Sequence, residues 1–256
     1  MKLLKDILYK VSIDSVIGST DININKIEFN SLKISKNDLF VAINGNRLDG
    51  NQFITQAIEK GAKVILCKKL PVNISKEITY VKVKDVRESL ALICSNYYDN
   101  PSKKIKLIGI TGTNGKTTTA NLMFQLFGLF DYKVGLISTN KIIIDTKQIN
   151  SNLTTPDPLT INKVLHKMVE LKIQFCFMEV SSHSIQQKRI TGLFFSAGVF
   201  TNLSHDHLDY HKTFSDYRDV KKIFFDSLNK NAFAIVNVDD KNGNYCLLYT
   251  SPSPRD

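Results

Sequence analysis

The stretch from Ile108 to Phe127, IGITGTNGKTTTANLMFQLF, constrains this chain more than any other. A β-rich apolar run passes through two glycines and a lysine into a segment with helical spacing. Such a turn brings backbone amides and the positive end of a helix to one point, where anionic oxygens are held. The strict phosphate-loop pattern asks for glycine at position 110, where this chain has Ile110. The spacing present is the shorter Gly112, two residues, Gly115-Lys116-Thr117. Read as a phosphate loop, it puts Lys116 on the β- and γ-phosphates and the Thr117 hydroxyl on magnesium. Read as a plain glycine-rich turn, it leaves Lys-Thr at the helix start without a purpose.

With 256 residues, 43% apolar and 23% charged, the composition is globular and leaves room for two cored domains. The net charge of +10 admits nucleic acid, a membrane surface or an acidic small molecule as partner. Lysines are scattered beside Asn and Ile and are not gathered with aromatics, so a solvated surface and an acidic small molecule are expected, with no nucleic acid and no membrane. Cys67, Cys94, Cys176 and Cys246 form no Cys-x-x-Cys pair, which points to reduced structural thiols. The start MKLLKDILYKVSIDS lacks the apolar core of a signal peptide, and no run approaches the roughly 20 residues of a membrane span. A cytoplasmic protein is expected.

Residues 1–100 read as a small α/β domain, with strands in DLFVAI, AKVILC and ITYVKV and helices in NQFITQAIEKG and DVRESLALICSNYY. A linker at DNPSKK, around Pro101, opens a second domain over 101–245. Its short apolar runs, IKLIGI, KVGLIS, FCFMEV, AGVFTNL and FAIVNV, fit parallel strands buried on both faces. The expected class is therefore α/β, the second domain a doubly wound, mostly parallel sheet of phosphate-loop type. Ligands of such sheets sit beyond the carboxyl ends of the strands. Residues 246–256, CLLYTSPSPRD, resemble the in-frame translation of a sequencing-library adapter, so native sequence is expected to stop near Tyr245.

Three further places carry chemistry. Glu179 ends an apolar strand in FCFMEVSSHSIQQKR, where a carboxylate either holds magnesium or points to solvent. In TNLSHDHLDYH, His205, His207 and His211 crowd one loop, and one histidine serving a hard cation is expected there in preference to structural zinc. In TFSDYRDVKKIFFDSL, Thr213 and Asp216 fit a capping box, and Phe214, Tyr217, Phe224, Phe225 and Leu228 share a helical face. Lys221 falls on that face and Lys222 off it. A buried ammonium must snorkel, pair or change chemistry, for instance by taking up carbon dioxide as a carbamate.

Together TGTNGKTTT, MEVSSHSIQQKRI, FTNLSHDHLDYH and YRDVKKIFF, in this order and spacing, resemble the Mur ligases, most closely those that make UDP-N-acetylmuramoyl-tripeptide. The resemblance covers residues 22–245, and that family's phosphate loop has the same short form. It implies ATP-dependent amide ligation in peptidoglycan precursor synthesis: a carboxylate of UDP-MurNAc-L-Ala-D-Glu takes the γ-phosphoryl group of ATP, and an amino acid's amine displaces phosphate. The amino acid expected is meso-diaminopimelate, with lysine second. The resemblance gives Gly112, Thr113, Asn114, Gly115, Lys116, Thr117 and Thr118 to ATP. It gives Thr117, Glu179, His207 and a carbamylated Lys221 to Mg2+, with Lys116, Lys221, His207 and Glu179 as the catalytic set. It gives Thr154, Thr155, Ser181, Gln187 and Arg189 to the muramoyl-dipeptide, and Ser31, Asn46, Arg47 and Leu48 to its UDP end. Asn30 and Leu153 depart from the family's usual residues. A third domain that reads the amino acid is expected to be absent, and the protein to be a monomer. Rival readings are another Mur ligase step, folylpolyglutamate synthase, a nucleotide-dependent switch and a basic nucleic-acid module.

Overall fold

The computed structural model describes residues 1–45, 49–204 and 213–247. The chain forms two compact units, Met1–Asp99 and Asn100–Asp256. In the first, β1 (Lys2–Leu3) pairs with β3 (Asn23–Ile24), α1 (Leu4–Ile7) follows β1, and β2 (Ile13–Ile17) begins the main sheet. That sheet continues with β4 (Ile27–Glu28), β5 (Asp38–Val41), β6 (Ala62–Cys67) and β7 (Thr79–Val83), with α2 (Ile54–Glu59) between β5 and β6. The strand order is β2-β7-β6-β5-β4, parallel except for β2 at one edge. The apolar runs of β5 and β6 are buried as expected for parallel strands covered on both faces. α3 (Val86–Tyr97) starts where the Asp85 carboxylate accepts from the amides of Arg87 and Glu88, at 3.0 Å each.

The second unit contains β8 (Lys106–Thr111), α4 (Lys116–Leu129), β9 (Val134–Ser138), β10 (Lys141–Ile144), β11 (Lys147–Asn150) and α5 (Pro158–Glu170). β12 (Phe175–Glu179), α6 (Ser182–Gln186), β13 (Ala197–Phe200), α7 (Phe214–Asp226), β14 (Phe233–Val236) and α8 (Lys241–Leu247) complete it. Among the described residues the sheet order is β11-β10-β9-β12-β8-β13-β14. The five runs read from the sequence are its parallel strands. The hairpin of β10 and β11 was not anticipated. It pairs antiparallel onto β9 and turns through Asp145 at φ +58°, a conformation that a short Asp side chain tolerates.

α4 covers one face, where Ile110, Leu136 and Phe177 pack on Ala120. The opposite face carries α5, α6 and α7 over the larger core. A Cβ on Gly109 would come within 2.5 Å of Phe224 Cζ, so α7 rests directly on bare backbone at the centre of the sheet. This winding turns the carboxyl ends of β8, β9, β12 and β13 toward one edge, which gathers Gly112, Thr139, Glu179 and Thr201. All four cysteines are buried and none forms a disulfide, and burial pushes the Cys67 and Cys246 thiols up to about 11. No helix among the described residues is long and apolar enough to cross a membrane.

Candidate active site

The glycine-rich loop between β8 and α4 is held by the segment after β13. Thr113 N donates to the Asn202 carbonyl at 2.8 Å and Asn114 N to Asn202 Oδ1 at 3.0 Å. Thr201 Oγ1 donates to the Asn114 carbonyl at 2.6 Å. The Thr113 and Asn114 amides are engaged internally, whereas the first amides of α4 have no intrahelical acceptor, an arrangement suited to an anion. Gly115 caps that helix at φ +83°. Gly112, at φ +147°, must be glycine for a second reason: a Cβ there would lie 1.9 Å from Thr201 Oγ1. Gly112→Ala is expected to cost about 3 kcal/mol or more through overlap and backbone strain. A urea midpoint equal to that of the parent chain would contradict this.

Two cations converge on the loop. Lys116 Nζ donates to the carbonyls of Gly112 at 3.0 Å and Thr113 at 2.8 Å. Lys221 Nζ donates to the same Gly112 carbonyl at 2.9 Å. Lys221 is 1% exposed, as its place on the apolar face of α7 predicted, and its ammonium sits 4.4 Å from the ring centre of Tyr217. Lys222, expected in open solvent, is partly covered and paired with Asp226 at 2.6 Å. Half of the capping box is formed: Thr213 Oγ1 accepts from Asp216 N at 3.1 Å, and the Asp216 carboxylate makes no return bond to Thr213 N. Sharing one acceptor puts the two ammonium groups no more than about 6 Å apart, a range in which like charges disfavour each other. Such a pair is suited to an anion, or to converting one member into one.

Glu179 is fully buried at the end of β12. Its Oε1 accepts from the Ser138 hydroxyl and from Thr139 N at 2.9 Å, and Oε2 from Thr117 Oγ1 at 3.0 Å and Thr139 Oγ1 at 3.2 Å. Four donors, shared between the two oxygens, fix the carboxylate inside the protein. The solvent-pointing alternative is thus overturned. Among the described residues no cluster of three His, Cys, Asp or Glu could hold a metal, yet the Thr117–Glu179 pair fits magnesium. Both are hard oxygen donors, and 3.0 Å is the separation of neighbouring oxygens on an octahedral cation with bonds of about 2.1 Å.

Beyond Glu179 lies a ledge of hydroxyls. Thr155 Oγ1 donates to the Glu179 carbonyl at 2.8 Å and accepts from Ser181 N at 3.0 Å. Arg189 is fixed by its bond to the Thr155 carbonyl at 2.7 Å and by Gln187 Oε1, which accepts from its Nε and Nη2 at 3.1 and 2.6 Å. Gly112, Lys116, Lys221, Thr154, Thr155, Ser181 and Arg189 line one cavity of about 330 Å³, together with Leu153, Ser182, His183 and Tyr217. Gln187 acts by holding Arg189. Sequence reasoning did not assign Ser138, Thr139, His183, Asn202 or the Tyr217 hydroxyl, although Ser138 ends β9 and Thr139 follows it directly. In the first unit Ser31 Oγ donates to Gln56 Oε1 at 2.6 Å, and Asn30 caps the short turn that carries Ser31. Asn46, Arg47, Leu48 and His207, with His205 and His211, lie outside the described residues.

Residues 110–254 match the Mur ligase middle domain, and residues 23–98 match the model described as Mur ligase family, catalytic domain. The UDP-N-acetylmuramoyl-L-alanyl-D-glutamate–2,6-diaminopimelate ligase of Cytophaga hutchinsonii is 48% identical over 248 residues, 96% of this chain and 51% of that protein. The ligase of the same name from Bacteroides fragilis is 47% identical over 240 residues, 94% of this chain and 50% of that protein. The chain thus spans about half the length of the curated relatives it matches. A solved structure of a 2,6-diaminopimelate ligase of this name superimposes with a TM-score of 0.79 at 24% identity, over 96% of this chain and 49% of the other. The Thermotoga maritima MurF ligase in complex with ADP gives 0.56 at 21% identity, over 84% and 46%.

Proposed function

The chain belongs to the Mur ligase family, and on that premise we propose that it forms the acceptor and nucleotide sites of a cytoplasmic, ATP-dependent ligase that adds meso-diaminopimelate to UDP-MurNAc-L-Ala-D-Glu. The choice of diaminopimelate over lysine rests on the relatives named for it at 47–48% identity. One observation carries the reading. The cavity that holds Lys116 also holds Thr154, Thr155, Ser181 and Arg189, so a phosphate-binding lysine faces groups suited to a carboxylate acceptor.

The chemistry asked of the protein is positioning and charge neutralisation. Lys116 neutralises charge on the phosphoryl group in transit, and the amides from Gly115 to Thr118 hold the remaining oxygens. Arg189, pre-oriented by Gln187 and Thr155, holds an acceptor carboxylate so that a second carboxylate oxygen attacks γ-phosphorus, giving an acyl phosphate and ADP. The amine of the amino acid then attacks the acyl carbon, a C–N bond forms and phosphate leaves with the C–O bond broken. Thr117 and Glu179 are the residues that would hold magnesium, which when bound supplies charge neutralisation on the phosphate oxygens. We assign Lys221 a carbamate: its neutral amine adds to carbon dioxide with release of one proton, replacing a second cation at Gly112 with an anion.

Arg189→Ala is expected to weaken UDP-MurNAc-L-Ala-D-Glu binding about 10-fold or more, the worth of a charge-assisted hydrogen bond, and to leave Mg-ATP affinity unchanged. Calorimetric titration of both ligands checks this. Equal affinity for the acceptor in the variant would remove Arg189 from that site.

A further inference from the structure

Thr139 stands where the carboxylate and the hydroxyl ledge meet. It follows β9 directly, its amide donates to Glu179 Oε1 at 2.9 Å, and its hydroxyl lies 3.2 Å from both Glu179 Oε2 and Thr154 Oγ1. Ser138 touches only Oε1 and Thr117 only Oε2. Among the described residues, Thr139 alone grips both oxygens and so sets the plane of the carboxylate. A threonine hydroxyl carries a single proton. At any instant that proton is donated to Glu179 or to Thr154, never to both.

We propose that Thr139 is a positioning residue that aims Glu179 at a divalent cation and ties that carboxylate to the acceptor ledge through one shared proton. The proposal rests on the reading of Thr117 and Glu179 as the magnesium-nucleotide site. Partners of this kind, hydrogen-bonded to a metal-binding side chain, fix its orientation and are worth roughly 10- to 100-fold in metal affinity. Here one residue supplies two of the four donors, from a backbone position that the β9 strand end holds still. Its side-chain bond is the adjustable one. When Oε2 engages a cation the hydroxyl can turn to Thr154, so that a change at the acceptor ledge is felt at the cation and the reverse.

The test is Mn2+ binding to the full chain in the presence of ATP, followed by electron paramagnetic resonance, with metal-free ATP affinity measured beside it. Thr139→Val is expected to weaken Mn2+ about 10-fold, Thr139→Ser to keep the parent value, and metal-free ATP affinity to stay constant in both. Thr154→Val leaves the proton on Glu179 and is expected to hold Mn2+ at least as tightly as the parent chain. Unchanged Mn2+ affinity in Thr139→Val, an equal loss of metal-free ATP, or a serine variant no better than valine would each overturn the proposal. Should Thr139→Val fail to fold, Thr154→Val decides alone, and weaker Mn2+ there counts against it. A parent chain that binds no Mn2+ with ATP overturns the underlying nucleotide reading and this proposal with it, and is seen before any variant is made.

Discussion

Lys221→Met is expected to abolish ligation in the enzyme assayed at the full length of its relatives, by about 100-fold or more, while leaving the fold as stable as before. Methionine fills the volume on the face of α7 and removes a buried charge, and replacing buried ions by apolar groups of similar size is neutral or stabilising. A lysine that only packs would therefore be dispensable. If Lys221 carries a carbamate, 13C-bicarbonate should give the parent chain a carbonyl resonance that Lys221→Met lacks. Lys221→Ala, which opens a space beside Tyr217, should regain part of its activity with short carboxylates. Lys222→Ala should show neither effect, since that side chain is spent on Asp226 at the protein surface. Full activity in Lys221→Met, or no rescue together with no carbamate resonance, would leave Lys221 as a brace on the Gly112 carbonyl.

Lys116→Ala should have the second large effect. The ammonium is already aimed by two loop carbonyls, so it costs little reorganisation when charge builds on the transferring phosphoryl group. Loss of one such preorganised donor lowers turnover by about 100- to 1,000-fold. Acceptor binding should change far less, because Arg189 and the threonine ledge are held by bonds that do not involve Lys116. Steady-state kinetics separate the two: kcat falls while the apparent KM for the muramoyl substrate stays near the parent value. A variant with most of its turnover would mean that the glycine-rich loop is only a strand-to-helix turn.

The parallel strands were legible because burial on both faces leaves continuous apolar runs, and Lys221 was legible because helical spacing put a cation on an apolar stripe. The β10–β11 hairpin was not. Its outer strand is exposed throughout and reads as polar loop. Residue types at strand ends pointed to Glu179 but not to what holds it, since Ser138 and Thr139 reach it across 41 and 40 positions of sequence. The same holds for Tyr217, whose hydroxyl meets Thr113 Oγ1 at 3.2 Å from 104 positions further along the chain. Spacing along the chain also gave no hint that Asn202 takes up two of the loop's amides. Bonds between segments brought together by strand order are invisible until that order is known.

In the proposed reaction one cavity sets Lys116, on the phosphate, against the muramoyl-peptide acceptor. Titration of the chain with UDP-MurNAc-L-Ala-D-Glu, with and without Mg-ATP, tests it most directly. Saturable one-to-one binding is expected, with an affinity that shifts when Mg-ATP is present, because both ligands bear on the Glu179–Thr139–Thr154 contacts. Mg-ATP binding with no acceptor binding at all, the behaviour of a nucleotide switch, would contradict it.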